Sequence, residues 1–407
     1  MTIPMVLAAV ILIGTLMVFA LGKSPIFRVD RAGAAIIGGI LMIGTGVLSF
    51  NQATQAVDYR TILLLFSMMI ITANLKLSGF FFSLGDWILT GAHTQRRLLL
   101  IVIMASGLLS ALFVNDIICL LFTPIIILIC RRAQANPLPH LIGLATASNI
   151  GSAGTLIGNP QNMLIAGLSH MAFNHYLLIA MPLALFGLVV DYLLIGWFFR
   201  SDLQSPISNA ALIGGPQHSY LIRKSLIVMG LIMLGILVGG DAPLIAGLGA
   251  GFMLITRRLK PNKVYASIDF NLLVIFIGLF VIIGGVEHSG LMGWSLRSLG
   301  IAHLTNFPLF AVLTLVFSNI FSNVPAVLLL KFLIPTGATH LWWAGMAVFS
   351  TFAGNLTLVG SIANLIVAEM AKREGIHLSF NDYLKVGLPL TLLLSGVSLI
   401  YFSWLLR

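Results

Sequence analysis

The 407-residue chain is 59% hydrophobic and only 8% charged, which excludes a soluble globular protein because such a fold carries roughly 25% charged residues. Twenty-two basic residues outnumber twelve acidic ones, yet they lie in short loops between apolar runs. This distribution indicates membrane topology and argues against a nucleic-acid-binding patch. Cys119 and Cys130 are about 16 Å apart along a continuous helix, which excludes a disulfide or a shared metal ion.

The apolar runs predict an all-α polytopic membrane protein. The first run, residues 3–22, is too long and too poor in flanking charge for a cleaved signal peptide. Several runs are long enough to cross a hydrocarbon core of about 30 Å. The predicted spans are 3–22, 33–49, 60–77, 140–170, 175–199, 225–240, 242–257, 270–286, 344–370 and 384–405. Residues 80–91 and 291–300 are predicted as matching amphipathic helices at the membrane surface.

Two further segments fit neither one span nor two. Residues 98–130 form a nearly apolar run between two arginine pairs. Because arginine is enriched on the cytoplasmic side, both ends of the run are expected to lie at the cytoplasmic surface. We therefore predict a re-entrant hairpin that turns near 114–116. Residues 307–335 predict a second hairpin that turns near 322–324.

The charges predict an orientation. With both hairpins re-entrant, the large majority of lysines and arginines fall on one side, which the positive-inside rule assigns to the cytoplasm. The N-terminus is then outside. We expect a multi-pass protein of the plasma membrane, which is the inner membrane of a bacterium.

The sequence repeats itself in three blocks. The matching blocks are Asp58-Tyr59-Arg60 with Asp269-Phe270-Asn271, Ser110…Asn115 with Ser318…Asn323, and TLIGNPQN at 155–162 with TLVGSIAN at 357–364. The charges give the halves opposite orientation, so residues 1–200 and 225–407 are predicted as two inverted repeats joined by a cytoplasmic linker at 201–224. Inverted repeats with interrupted helices are typical of secondary transporters.

Polar residues gather at the two hairpin turns and at breaks within 140–170 and 344–370. Irregular backbone at membrane depth is tolerated only where it lines a cavity or is buried in protein, so symmetry predicts one site near the midplane. The candidate solute ligands are Asn115, Ser152, Thr155, Asn162, Ser322, Asn323, Asn355, Thr357 and Asn364. Ser148, Asn159 and Ser361 lie in the same breaks. The alternative is that these side chains only hold helices together.

Two smaller sets complete the predicted site. Glycine frees the backbone, and the glycines expected to do so at the breaks are Gly151, Gly158, Gly354 and Gly360. The candidate groups for ion or proton coupling are Asp116, Asn115 and Asn149.

Asp116 is the strongest single candidate for a functional residue. An ionisable group at membrane depth is energetically costly and is therefore expected to have a function. It could bind a proton or contribute to a sodium site. The alternative is a cap for the second arm of the hairpin. Its repeat partner is Val324, so symmetry does not require a carboxylate here.

The chain shows no Walker motif, thiol cluster or metal-ligand spacing. We therefore expect no enzyme activity, no metal, and no cofactor beyond a coupling proton or sodium ion. The expected partners are the lipid bilayer and a small polar solute or anion.

Four motifs in this order resemble the ion transporter superfamily: Ala111–Asp116 followed by Leu120–Pro124, Ser148–Ser152, Thr155–Asn162 and Ser318–Ala326. The resemblance covers essentially the whole chain. It implies two re-entrant hairpins, two broken helices and a homodimer in which a transport domain moves as an elevator against a scaffold domain.

The hairpin tips bear on the substrate. Relatives of the divalent-anion/sodium symporters carry Ser-Asn-Thr at both tips, whereas this chain has Val114-Asn115-Asp116 and Ser322-Asn323-Val324. A carboxylate would repel a dicarboxylate substrate. The Asn-Asp tip followed by Thr123-Pro124 resembles arsenite/antimonite efflux permeases, and TLIGNPQN also resembles citrate-transporter-like anion permeases.

The permease resemblance implies proton-coupled efflux of arsenite or antimonite, with a soluble ATPase as a further partner. Two other functions stay open. One is a symporter for a small inorganic or organic anion, and the other is a sodium/proton antiporter.

Overall fold

The computed structural model describes residues 1–204, 207, 214–298, 304–335 and 337–407. These residues form twenty α-helices and two short 3-10 helices, Asp202–Gln204 and Lys331–Leu333. The first ten helices are α1 (Ile3–Leu21), α2 (Arg31–Gly44), α3 (Phe50–Ala56), α4 (Tyr59–Leu77), α5 (Phe80–Gly91), α6 (Gln95–Leu112), α7 (Asn115–Ala133), α8 (Pro137–Ala153), α9 (Pro160–Ser169) and α10 (Phe173–Phe198). The next ten are α11 (Ser219–Leu237), α12 (Ala242–Leu254), α13 (Pro261–Tyr265), α14 (Phe270–His288), α15 (Leu291–Ser298), α16 (Phe307–Phe321), α17 (Asn323–Leu330), α18 (His340–Ala353), α19 (Ile362–Arg373) and α20 (Phe380–Leu405).

The all-α polytopic prediction is confirmed. Among the described residues, seven helices are long and apolar enough to cross a membrane, namely α1, α4, α6, α10, α11, α14 and α20. Residues 205–206 and 208–213 of the predicted linker, and 299–300 of the predicted surface helix, lie outside the described residues.

Two predicted spans are shorter than expected. The helix in the 33–49 run ends at Gly44, because Gly46 has a positive φ of 74° and turns the chain into the separate helix α3. The helix in the 242–257 run ends at Leu254. There the ammonium group of Lys224 on α11 donates to the carbonyl oxygens of Phe252 and Ile255, both at 2.8 Å, and so satisfies the end of α12.

The helices of the second half follow the order of the first half. Helices α4 and α14 each have 19 residues, and Ser-Gly pairs with a positive φ at Gly79 and Gly290 follow them. Helices α10 and α20 each have 26 residues with one internal proline, Pro182 and Pro389. The opposite orientation of the halves and the domain boundaries stay predictions.

The helices pack as two groups. In the first, which we call the α2–α14 bundle (α1–α4 and α11–α15), α2 packs on α14, α4 on α12 and α1 on α2. In the second, the hairpin bundle (α5–α10 and α16–α20), α6 packs on α8 and α16 on α18. The second arm of each hairpin packs against the other half, α7 on α19 and α17 on α9. The two groups meet where α4 contacts α9 and α5, α1 contacts α16, α10 contacts α11, and α14 contacts α17.

Helices α2 and α14 approach each other closely enough for their backbones to touch. A Cβ atom at Gly278 would collide with the backbone oxygen and carbon of Ala35. Glycine therefore allows the two helices to approach more closely than any side chain would permit.

We predict that Gly278→Ala destabilises the protein, because α14 must move away from α2. Overpacking of this kind costs about 1–3 kcal/mol. Gly251→Ala is the matched control, since Gly251 lies in α12 with no atom within 4 Å of an added Cβ. Thermal unfolding in detergent should show a lower Tm for Gly278→Ala only. Equal Tm values would contradict the close α2–α14 contact.

Candidate functional site

Both hairpins turn where the sequence predicts, and the first turn is buried inside the protein. Asn115, the first residue of α7, is 4% exposed. Its backbone N–H donates to the Gly158 carbonyl oxygen at 3.0 Å. The Ser148 hydroxyl donates to the Asn115 carbonyl oxygen at 3.3 Å. The second hairpin turns at Ser322, which has a positive φ of 73°.

The two predicted helix breaks are present, and an asparagine side chain stabilises each of them. The break between α8 and α9 is spanned by Asn162, whose Nδ2 donates to the carbonyl oxygens of Ser152 at 3.2 Å and Thr155 at 2.9 Å. The break between α18 and α19 is spanned by Asn364, whose Nδ2 donates to Gly354 at 2.7 Å and Thr357 at 3.1 Å. These bonds satisfy carbonyl groups that have lost their helical partners.

Asn149, in the last turn of α8, connects the first half to the second. Its Nδ2 donates to the Oδ1 atoms of Asn355 at 2.9 Å and Asn364 at 3.0 Å. Its Oδ1 accepts from Asn115 Nδ2 at 3.0 Å and from the Ser361 hydroxyl at 3.1 Å. One buried amide therefore links the first hairpin tip to the second break.

Thr351, in the last turn of α18, makes the reciprocal connection. Its hydroxyl oxygen accepts from Asn159 Nδ2 and Gln161 Nε2, both at 3.2 Å. The sequence prediction missed Thr351 and Gln161, because a threonine in an apolar helix is unremarkable. The signal was available, since the offset that aligns TLIGNPQN with TLVGSIAN also aligns Asn149 with Thr351.

A small cavity lies where four helices begin. Its volume is about 30 Å³, which is the size of very few water molecules. The residues that line it include the first residue of α7, α9, α17 and α19, namely Asn115, Pro160, Asn323 and Ile362. The positive ends of four helix dipoles therefore converge on this space. Leu272, in the first turn of α14, closes it from the other bundle.

The cavity offers hydrogen-bond acceptors and one carboxyl group. The Oδ1 atoms of Asn115 and Asn323 are buried and have no hydrogen-bond partner among the described residues. Asp116 lines the cavity, and none of the lining residues is Lys, Arg or His. The capping role considered for Asp116 is absent, because the N-cap residue of α7 is Val114 and no side chain caps that helix.

The predicted residues divide into two groups. Asn115, Asp116, Ser322 and Asn323 line the cavity, together with Ser361 and Gln161. The other predicted residues hold the breaks together and do not line the cavity: Asn149, Ser152, Thr155, Asn162, Asn355, Thr357 and Asn364. For example, the Thr155 hydroxyl donates to the Ala111 carbonyl at 2.6 Å, and Asn355 Nδ2 donates to the Thr146 carbonyl at 3.3 Å.

Three of the four glycines predicted at the breaks lie there, namely Gly158, Gly354 and Gly360, but the backbone conformation of all four differs from the expectation. None of Gly151, Gly158, Gly354 and Gly360 has a positive φ, and Gly151 lies inside α8 rather than in the break. A Cβ atom at Gly151 would collide with the Gly107 backbone, and one at Gly158 would lie 2.5 Å from the Ser152 carbonyl oxygen.

At the second break a Cβ atom would also find little space. A Cβ atom at Gly360 would lie 2.9 Å from Asn319 Oδ1, and one at Gly354 would lie 3.1 Å from the Thr351 carbonyl oxygen. These glycines permit close packing around the breaks, and do not supply an unusual backbone conformation.

Comparison with known proteins gives the family. Residues 16–345 match the CitMHS family model, described as "Citrate transporter". The chain belongs to the CitMHS family of membrane transporters. This confirms the resemblance to the ion transporter superfamily.

Curated relatives of this CitMHS-family chain span nearly its whole length. A "46 kDa membrane protein" of Mycobacterium leprae is 30% identical over 93% of this chain and 94% of its own. The "Silicon efflux transporter LSI3" of Oryza sativa is 28% identical over 98% of both chains. The "Putative transporter arsB" of Dictyostelium discoideum is 25% identical over 91% of this chain and 87% of its own.

We predict that Asn162→Ala and Asn364→Ala each destabilise the protein, because each leaves two buried carbonyl groups without a partner. The expected loss is about 1–3 kcal/mol. Asn174→Ala is the control, since Asn174 is exposed and its side chain, among the residues that the structure describes, accepts only from the adjacent His175 N–H. Chemical denaturation in detergent measures the unfolding midpoint of each of the three variants. A wild-type midpoint for both buried variants would contradict the role of these amides.

Proposed function

We propose that this CitMHS-family protein exports arsenite and antimonite in exchange for protons. Transport would proceed by movement of the hairpin bundle relative to the α2–α14 bundle, which exposes the cavity alternately to the two sides of the membrane. The plasma membrane is the expected location, with the N-terminus outside.

One observation carries the proposal: two free amide oxygens and one carboxyl group share a cavity that no basic side chain lines. Arsenite and antimonite are largely uncharged trihydroxides near neutral pH. Their hydroxyl groups can donate to the Oδ1 atoms of Asn115 and Asn323. A citrate anion fits poorly, because a charged Asp116 would repel it.

Asp116 supplies the proton coupling in this proposal. A carboxyl group removed from water must be paired or neutralised. No ion pair among the described residues includes Asp116, so a proton is available to neutralise it. Charged Asp116 can accept a hydrogen bond from the solute during export, and protonated Asp116 can return without solute.

The relatives support a hydroxylated solute. The rice relative is named a silicon efflux transporter, and dissolved silicon near neutral pH is silicic acid, which is also an uncharged polyhydroxide. The Dictyostelium relative is named a putative transporter arsB.

One observation favours a second candidate, which is transport of a small inorganic or organic anion with a proton. Four helix N-termini converge on the cavity, and such ends attract anions. With Asp116 protonated, these ends would dominate the local potential. The same positive potential would repel a sodium ion.

We predict that arsenite or antimonite gradients drive proton movement in proteoliposomes loaded with a pH-sensitive dye, and that Asp116→Asn abolishes it. Citrate, sulfate and sodium gradients are applied in turn to the same vesicles. The control is Glu369→Gln, because Glu369 is exposed on α19 and, in the described part of the chain, pairs only with Arg373. It should behave as wild type.

Proton movement driven by citrate or sulfate would replace the proposal with the second candidate. Movement driven by sodium alone would identify a sodium/proton antiporter. Coupled arsenite transport by the Asp116→Asn variant would remove Asp116 from the mechanism.

A further inference from the structure

A groove between α11 and α12 lies apart from the cavity at the hairpin tips. Its volume is about 690 Å³, far larger than the cavity at the hairpin tips. Its walls are apolar, and more than half of each of the side chains Ile227, Leu231, Leu248 and Phe252 is exposed. Neither helix contributes to the cavity at the hairpin tips.

The length of the groove matches one leaflet of a bilayer. On α11 its lining residues run from Tyr220 to Ile232, which corresponds to about 18 Å along the helix. One leaflet of a hydrocarbon core about 30 Å thick measures about half of that thickness. An extended acyl chain that enters at the Tyr220 end can therefore lie along the groove as far as the bilayer centre.

The Tyr220 end of the groove is basic and aromatic. Arg223 and Lys224 line it, and no acidic residue does. The guanidinium carbon of Arg258 lies 5.0 Å from the centre of the Tyr220 ring, so a second arginine stands beside the same opening. No ion pair among the described residues includes Arg223 or Arg258. The two guanidinium groups are therefore available to an external anion.

We propose that this groove binds an anionic phospholipid, with the phosphate between Arg223 and Arg258 and one acyl chain against the apolar walls. Charge complementarity argues for this occupant, because an apolar groove that ends in unpaired arginines matches an acyl chain that ends in a phosphate. The predicted topology places this end in the cytoplasmic leaflet, where anionic lipids attract basic residues.

A second copy of the chain fits the groove less well. A twofold contact in a membrane would place one groove opposite another, with the basic ends of both at the same level. Two concave surfaces leave space unfilled, and the arginines would face one another.

The test is native mass spectrometry of the purified protein from micelles that contain equal amounts of phosphatidylglycerol and phosphatidylcholine. Wild type should retain phosphatidylglycerol in preference. Arg223→Gln and Arg258→Gln should each lower that preference roughly fivefold, as expected for one basic residue near a membrane surface. Lys224 is left unchanged because it holds the end of α12.

Three further variants distinguish lipid binding in the groove from a general effect of positive charge. Leu248→Trp should fill the groove and remove the retained lipid of either kind. Arg96→Gln and Arg200→Gln are the controls, since these residues line a different basic cavity beside α6 and α10. They should keep the wild-type preference.

Equal retention of both lipids by wild type would overturn the proposal, since only unselective lipid would then be present. An unchanged preference in both arginine variants would also overturn it. If Leu248→Trp dissociates a dimer and leaves the retained lipid unchanged, the groove is an interface between copies instead.

Discussion

Hydrocarbon offers no hydrogen bonds, so each peptide group outside a helix in the membrane must find a partner within the protein. The rest of this structure depends on how that requirement is met at the two helix breaks. Asn162 and Asn364 each donate to the carbonyls seven and ten positions earlier in the chain. With the carbonyls satisfied, the chain can stop one helix and start another inside the membrane, which places helix N-termini at the cavity.

The partners that satisfy the breaks also join the two halves. Asn149 of the first half binds the second break, and Thr351 of the second half binds the first. Because Asn149 also holds the first hairpin tip, the tip and the opposite break form one connected network. The two tips also meet directly, because Asn115 and Asn323, each with an unpartnered Oδ1 atom among the described residues, line the same cavity.

The sequence predicted the turns and breaks well because local chemistry determines them. Asn, Ser, Gly and Pro interrupt apolar runs at 114–116, 155–162, 322–324 and 357–364, and the structure interrupts its helices there. The direction of each side chain depends on packing that local patterns do not contain. Asn162 and Asn364 were predicted as solute ligands, yet their amides bind the backbone. Likewise, the close approach of Gly107 to Gly151 cannot be inferred from either segment alone.

The most direct test of the account counts bound solute. Equilibrium dialysis of antimonite against the detergent-solubilised protein measures the number of bound ligands per chain. We predict one, and we predict that Asn115→Leu and Asn323→Leu each abolish binding, because both tips would contact the same solute in the proposed mechanism. Two ligands per chain, with one lost in each variant, would contradict a single shared site.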